Sequence, residues 1–480
     1  NIDHYLAHDG YVGFGKALEM DGPEAIVKEI LDSGLGGRGG GGFPTGRKWD
    51  FLRTATASPR YLVCNADEGD PGAWVNRILM EGDPQLIVEG MLIAALASEA
   101  DAGYIYIRYE YPLAVARMQK AVDQAYEKGL LGKNILGSGK DFDLIVFKGA
   151  GSYVCGEETG LINSIDGYRG MPRIKPPFPA QAGLWNKPTN VNNVESYANA
   201  PMIMRNGAQW WSSVSDAKEK GTKMFTFSGA VNWAGCIEIP FGPKVRTALE
   251  QYAGGMIDGR RCKGFQPGGP LSGMLSAEDL DLTLTLDPYR EKGMFLGSGG
   301  IVFFDDSACV VDMCKFFVSF CEDESCGRCT TCHGGSQRAV EVIRRIQMGG
   351  GREADIENLE KLVQTLVWSN CLHGQFTMTT VKTSLKAFRD EWLEHIIEKR
   401  CRAGVCEGLI QYRVRNSSDP AMPEAADICP TNAFYEERGQ WAIDDSLCVR
   451  CGACKELAPN AIEVVDRLAA PLEAAAAAAG

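Results

Sequence analysis

Apolar residues along the first 220 positions alternate between two periods. Ala17, Leu18, Ile26, Ile30 and Leu31 form a helical stripe over residues 12–33, interrupted at Gly22-Pro23. Arg60 to Cys64 has the length and apolar content of a short buried strand. An apolar helix follows over 84–99, a strand at Tyr104 to Arg108, an amphipathic helix over 112–128 and a strand at Asp143 to Phe147. Strands alternating with helices predict a largely parallel α/β sheet. From Thr222 the rhythm shortens. Met224 to Ser228 alternates, Ile237 to Pro240 is extended, a helix is expected near 244–252, and Leu282 to Leu286 alternates again. That pattern predicts a small mixed β unit over roughly 222–295. Residues 307–398 then read as helical, with Val311, Cys314, Phe317, Val318 and Cys321 at helical spacing.

One stretch breaks every period. Gly34 to Trp49 holds eight glycines in 16 residues, a density that no helix or strand interior tolerates. Unhindered successive N–H groups can form a concave anion site, and Arg38 and Lys48 add positive charge. A flexible linker is the plain alternative, but the stretch lacks serine spacers and carries bulky Phe43, Pro44 and Trp49. Two predicted strands also run into unusual loops: carboxylate-rich Asn65 to Gly72, and Gly149 to Thr159. Ligands of open α/β sheets sit at the carboxyl ends of strands, so both loops point to one site. A proline-rich extended loop over 172–179 and the amides Asn190, Asn192 and Asn193 follow.

Composition narrows the class. The 480 residues suffice for several domains, and a net charge of -13 argues against a nucleic-acid or anionic-membrane surface. No apolar run is long enough to cross a bilayer. Seventeen cysteines, an odd number in a long chain that opens Asn1-Ile2-Asp3-His4 without an export signal, favour metal ligation in a reducing, cytoplasmic setting over disulfides.

The cysteines crowd the second half. Cys326, Cys329 and Cys332 are spaced C-x2-C-x2-C, the local geometry for three corners of a [4Fe-4S] cube. Cys371, in Ser369-Asn370-Cys371, is the expected fourth ligand, and a four-thiolate zinc site is the rival. His333 and His373 are expected to support the ligands from behind or to be structural, rather than to ligate. Near the C-terminus, Cys448, Cys451 and Cys454 repeat the spacing, and Cys429-Pro430 survives from a second run. In two-cluster ferredoxins the last cysteine of each run serves the other cluster. The missing triad near 421–427 and Ala458 in place of a cysteine are what remains if one whole cluster is discarded. The survivor then uses Cys429, Cys448, Cys451 and Cys454. His395, Cys401 and Cys406 form a candidate zinc set lacking a fourth ligand, weighed evenly against two free thiols. Cys309, Cys314 and Cys321, like Cys64, Cys155, Cys236 and Cys262, are expected to be buried apolar thiols.

Together, Gly37 to Gly46, Asn65 to Gly69, Gly151 to Thr159, Pro176 to Ala180, Asn192 to Glu195 and Glu324 to Cys329 resemble the NADH-binding flavoprotein subunit of respiratory complex I, over residues 1 to about 398. The Cys401/Cys406 pair and the appended module look more like the β subunits of NAD-dependent, electron-bifurcating hydrogenases and formate dehydrogenases. The resemblance implies FMN held by Gly37, Arg38, Gly39, Gly40, Lys48, Asn65, Asp67, Gly156, Glu157, Asn192 and Asn193. It implies NAD(H) held by Phe43, Phe51, Glu68, Asp70, Tyr153, Glu158, Lys175 and Phe178, the phenylalanines on the adenine. No general acid or base is assigned, because hydride transfer between the two cofactors needs none.

The implied fold class is multidomain α/β. It comprises a Rossmann-like FMN/NAD domain (1–221), a β-grasp-like domain (222–298), a helical [4Fe-4S] domain (299–398), a ferredoxin-like domain with one [4Fe-4S] cluster (399–467) and an alanine-rich tail (468–480). Implied partners are a thioredoxin-like [2Fe-2S] subunit and a further iron–sulfur or catalytic subunit. The alternative is an electron-relay or scaffold subunit, as in a benzoyl-CoA reductase-type complex, without nucleotide turnover of its own. Gly36 stands where many members of the family carry arginine.

Overall fold

The computed structural model describes residues 1–467; the tail expected over 468–480 lies outside the described residues. The first sheet contains β1 (Tyr61–Ala66), β2 (Ala102–Ile107), β3 (Asp143–Lys148) and β4 (Thr189–Asn193) in the order β3-β2-β1-β4, all parallel. Leu62, Cys64 and Ala66 face the main core, with helices Pro84–Ser98 and Val194–Asn206 against them. Val63, Tyr106 and Val191 face a smaller core completed by helix Glu158–Ile165. Helix Pro84–Ser98 is apolar almost all round because it is buried almost all round. Gly90 lets it approach Val194–Asn206 closely: a Cβ there would stand 2.0 Å from the Tyr197 carbonyl oxygen.

The strand and helix positions expected for residues 12–148 are all present within a residue or two. β4 is the element that the pattern did not announce. Asparagine is depleted in strands, yet Asn190 and Asn192 are buried here, and the Asn192 side-chain oxygen accepts from Asn190 Nδ2 (2.6 Å) and Trp49 Nε1 (3.1 Å).

The second sheet holds β5 (Thr222–Gly229), β6 (Gly235–Pro240), β7 (Gly264–Pro267), β8 (Leu275–Ser276) and β9 (Gly300–Phe304) in the order β6-β5-β9-β7-β8. β5 and β9 run parallel; the other pairs are antiparallel. β9 lies just past residue 298, so the sheet extends one strand beyond the boundary expected from sequence. Leu282 to Leu286 is not a strand. Leu284 is fully buried and Thr283 makes a single bridge to Lys244, so one-sided burial of a loop produces the alternation that looked strand-like. The two sheets are fastened by a buried ion pair: Lys223 Nζ contacts Glu195, and also donates to the carbonyls of Met224 (2.8 Å) and Ser298 (2.7 Å).

Helices Val310–Asp323, Thr330–Arg345, Ala354–Leu366 and Thr379–Ala387 surround a third core containing Val318, Ile343, Leu359 and Trp392. Cys314 and Cys321 are fully buried within that unit, as expected. The last module pairs β10 (Ile410–Val414) with β13 (Ile462–Asp466), and β11 (Phe434–Glu437) with β12 (Gln440–Ile443), both antiparallel. No helix among the described residues is long and apolar enough to cross a membrane.

Candidate functional site

The glycine stretch closes on itself: Gly36 bridges Pro44, and Gly37 N–H donates to the Phe43 carbonyl (2.8 Å). It forms one wall of a cavity of about 490 Å³ at the carboxyl ends of β1 and β4. Gly37, Gly39, Lys48, Asn65, Asp67, Gly156, Glu157, Asn192 and Asn193 line it, as do Glu68, Asp70, Tyr153, Glu158 and Lys175. A second cavity of about 960 Å³ continues outward, sharing Phe43, Lys48 and Glu158 and adding Phe51 and Phe178. All three phenylalanines are exposed, so three apolar rings face an open slot.

Two of the expected residues face elsewhere. Arg38 and Gly40 line a separate recess behind the glycine stretch. The Arg38 guanidinium, 3% exposed, donates to the carbonyls of Gly36 (2.9 Å), Lys220 (2.7 Å) and Thr222 (3.1 Å) and lies over the Phe241 ring. Burial lowers it to about 10. Its charge is used in bracing the loop from behind, so Lys48 is the cation of the glycine stretch that reaches the cavity.

Within the cavity, Lys48 Nζ donates to the Val191 carbonyl (2.6 Å) and lies 3.4 Å from Glu158. Lys175 bonds Glu158 (2.6 Å) and Glu157 (2.9 Å). Burial would raise the Glu158 carboxyl, but the two lysines outweigh it and hold the group below its ordinary value. Burial pushes Asp67 up to about 8 and Glu68 up to about 7, although Glu68 accepts the N–H groups of Asn76 (2.9 Å) and Arg77 (3.0 Å). The Asp67 Oδ2 atom is buried and has no hydrogen-bond partner among the described residues. Bare main-chain N–H groups, a lysine and an orphaned carboxyl oxygen suit a ligand that is anionic at one end and offers donors elsewhere. FMN has that chemistry, and the residues present fit it.

Tyr153 connects this cavity to the first cysteine cluster. Its hydroxyl donates to Asp70 (2.7 Å), its N–H to Glu324 (2.8 Å), and its ring packs 5.1 Å from Phe320 and 5.8 Å from His373. Arg328 donates to the Pro172 carbonyl (2.6 Å), tying the cysteine loop to the proline-rich segment. Cys326, Cys329, Cys332 and Cys371 lie near one another: burial first, then the charges of neighbouring cysteines of this set, raises the Cys371 and Cys332 thiols. The Asn370 N–H donates to Cys329 Sγ (3.4 Å). His373 is buried, with Nε2 on the Cys321 carbonyl (2.9 Å).

Cys429, Cys448, Cys451 and Cys454 line one small cavity in the last module. Arg450 braces that loop through the carbonyls of Cys448 (2.9 Å) and Ile410 (3.0 Å) and through Asp445 (2.6 Å). In the same module, Met422, Ala425, Ala458, Ala461 and Ile462 pack as an apolar core, and Cys454 packs against it.

The third cysteine group has a neighbour that the sequence did not join to it. Cys309, read from sequence as a buried apolar thiol, lies beside His395 (3.2 Å from Nε2) and Cys406 (3.6 Å). The ligand atoms of Cys309, His395, Cys401 and Cys406 all fall within 4.8 Å of one another, and all four residues are buried. His395 Nδ1 donates to the Glu391 carbonyl (2.8 Å), which fixes the tautomer that leaves Nε2 free as a ligand. Nothing local marks Cys309 as a member of this group, because it lies 86 residues from His395 and just before a helix whose other cysteines are buried in the core.

The Nuo51 FMN-binding domain matches residues 30–202, and the NADH-ubiquinone oxidoreductase-F iron-sulfur binding region matches residues 312–395. The NADP-reducing hydrogenase subunit HndC of Solidesulfovibrio fructosivorans is 45% identical over 430 residues, 89% of this chain and 86% of that protein. The F subunit of NADH-quinone oxidoreductase from Escherichia coli K12 is 44% identical over 394 residues, 82% of this chain and 88% of that protein. The chain belongs to the family of NADH-quinone oxidoreductase F subunits. It is a flavoprotein oxidoreductase with an FMN- and NADH-binding domain and a [4Fe-4S] region. Among solved structures, NAD+-reducing [NiFe]-hydrogenase in the H2-reduced state aligns with a TM-score of 0.74 at 32% identity over 81% of this chain. This member of the family spans 65% of that hydrogenase chain.

Proposed function

We propose that this chain is the NADH:acceptor oxidoreductase (diaphorase) subunit of a cytoplasmic multisubunit complex of the hydrogenase or formate dehydrogenase type. One observation carries the reading. A slot lined by three phenylalanines opens into a cavity lined by Lys48, Glu158 and Lys175, which Tyr153 joins to the Cys326–Cys332 loop. When bound, FMN supplies hydride acceptance and the release of electrons one at a time. The chain supplies the positioning. Phe43, Phe51 and Phe178 take the adenine, and Lys175 and Glu158 take the nucleotide near its centre. The bare N–H groups around Gly37 and Gly39, with Lys48, hold the flavin phosphate end. Asn65, Asp67, Asn192 and Asn193 contact the ring system and ribityl chain. Packed Tyr153, Phe320 and His373 exclude water between that site and the cluster at Cys326, Cys329, Cys332 and Cys371.

The order β6-β5-β9-β7-β8 with a parallel central pair supports the β-grasp-like assignment for the small unit. The four converging cysteines and the apolar core beside them support a ferredoxin-like module with one [4Fe-4S] cluster. Three thiols and one imidazole in a closed, buried set suit a structural zinc ion held by Cys309, His395, Cys401 and Cys406. Partners are a thioredoxin-like [2Fe-2S] subunit and an iron–sulfur or catalytic subunit. The test is anaerobic reconstitution with FMN, iron and sulfide, followed by NADH and a one-electron dye. Steady NADH-dependent dye reduction is expected. Full reconstitution without any dye reduction would instead mark a relay or scaffold subunit.

A further inference from the structure

Tyr412 lies on β10, opposite Val464 of β13, and lines the same small cavity as Cys429, Cys448, Cys451 and Cys454. Its half-buried ring packs between the core containing Cys401 and Cys406 and the core containing Met422 and Ala458. Among the described residues its hydroxyl makes no hydrogen bond, so it is free to donate into the cavity. Gly452, inside the cysteine loop, leaves the approach open: a Cβ there would meet the Tyr412 oxygen at 3.4 Å. The opposite ligand is already served, because Cys429 Sγ accepts the Ala433 N–H (3.3 Å) and has the Thr431 hydroxyl nearby (3.7 Å).

We propose that Tyr412 is a positioning residue for the ferredoxin-type cluster, donating its O–H to sulfur on the Cys448–Cys454 side and raising the potential at which that cluster accepts an electron. This rests on the reading above that these four cysteines hold a [4Fe-4S] cube. Hydrogen bonds to the sulfurs are among the terms that set cluster potentials. A donor stabilises the reduced, more negative form more than the oxidised one, and removing it lowers the potential. The step adds one electron to the cluster, and the O–H proton stays on oxygen.

The experiment compares the full reconstituted chain with Tyr412→Phe, which keeps the ring and its packing. Both are titrated electrochemically and followed by electron paramagnetic resonance. The expected result is a lower potential for the second cluster only, a three- to tenfold smaller reduced fraction at fixed potential, where tenfold corresponds to about 59 mV for one electron. The first cluster and NADH-dependent dye reduction stay unchanged. In deuterated buffer, the reduced wild-type cluster shows an exchangeable deuteron coupling that Tyr412→Phe lacks. If iron for two cubes is present in both proteins and neither the potential nor the coupling differs, the role of Tyr412 is overturned. If iron for a single cube is found, with no second cluster signal, the cluster reading itself falls and takes this inference with it.

Discussion

Cys309→Ala tests the least expected feature of the chain. The proposed metal closes long loops, since Cys309 is 86 residues from His395 and 97 from Cys406. Structural zinc in small domains is worth on the order of 10 kcal/mol of apparent folding free energy, and here the ligands join two units rather than hold one. Cys309 belongs to the helical unit, at the start of Val310–Asp323, whereas Cys401 and Cys406 open the C-terminal module. Loss of a partner merely hydrogen-bonded to a ligand weakens metal binding about 10–100-fold. Loss of a ligand costs at least that much, about 1.4–2.7 kcal/mol. The module has little with which to compensate, because its own buried core consists of Met422, Ala425, Ala458, Ala461 and Ile462. In the variant, zinc should be stripped by a chelator that leaves the parent loaded. Tryptic cutting at Lys399, Arg400 or Arg402 should rise at least about tenfold, in proportion to the weakened site. NADH-dependent dye reduction should persist, since the flavin cavity contains none of these residues. The reasoning fails if the anaerobically purified parent contains no zinc, or if the variant keeps its metal and its protease resistance under the same chelation.

Three further outcomes follow from the same geometry. Lys223→Met leaves Glu195 buried with only the Met224 N–H (2.8 Å), which should cost about 3–5 kcal/mol in denaturant unfolding; a loss below about 1 kcal/mol would show that the pair contributes little. Lys175→Met removes the closer of the two cations on Glu158 and should raise KM for NADH about tenfold, about 1.4 kcal/mol of binding, with kcat less affected; an unchanged KM places the nucleotide elsewhere. Asp67, raised by burial from 3.8 to about 8, keeps its proton longer when folded than when unfolded. Apoprotein stability is therefore lost as pH rises through that window. Glu68 contributes with the same sign up to about 7. Thermal melts of Asp67→Asn across this range should show a shallower decline than the parent, and parallel curves would refute the assignment.

What could be read from the sequence depended on whether the signal was local. β1 and β2 each declare themselves within six residues, because a buried parallel strand must be apolar nearly throughout, and β3 does so by its apolar run although it lies at the sheet edge with Ile145 exposed. The C-x2-C-x2-C runs declare themselves because one loop must supply three ligands. β4 was hidden because Asn190 and Asn192 are buried in it, where Trp49 and Asn190 both donate to the Asn192 oxygen. Leu282 to Leu286 misled for the opposite reason: alternation reports one-sided burial, and a loop laid against a core is buried on one side too.

Arg38 and Cys309 share a deeper cause. Sequence gives a residue's chemistry but not the direction of its side chain, and in both cases direction decided the role. Arg38 sits in a run of glycines that wraps a cavity, yet a guanidinium has five N–H donors to place. Behind the loop, three carbonyls converge on it, those of Gly36, Lys220 and Thr222. On the cavity side, Glu157 and Glu158 are already engaged by lysines. Cys309, Cys314 and Cys321 are all buried, and the sequence groups all three as apolar thiols. Only Cys309 stands at the end of its helix, where the chain from His395 to Cys406 passes close by. A thiol inside a helix faces the side chains of its own unit, whereas one at the cap faces whatever segment crosses there. Cysteines at helix ends near a distant C-x4-C pair are therefore the ones to consider as ligands before a structure is known.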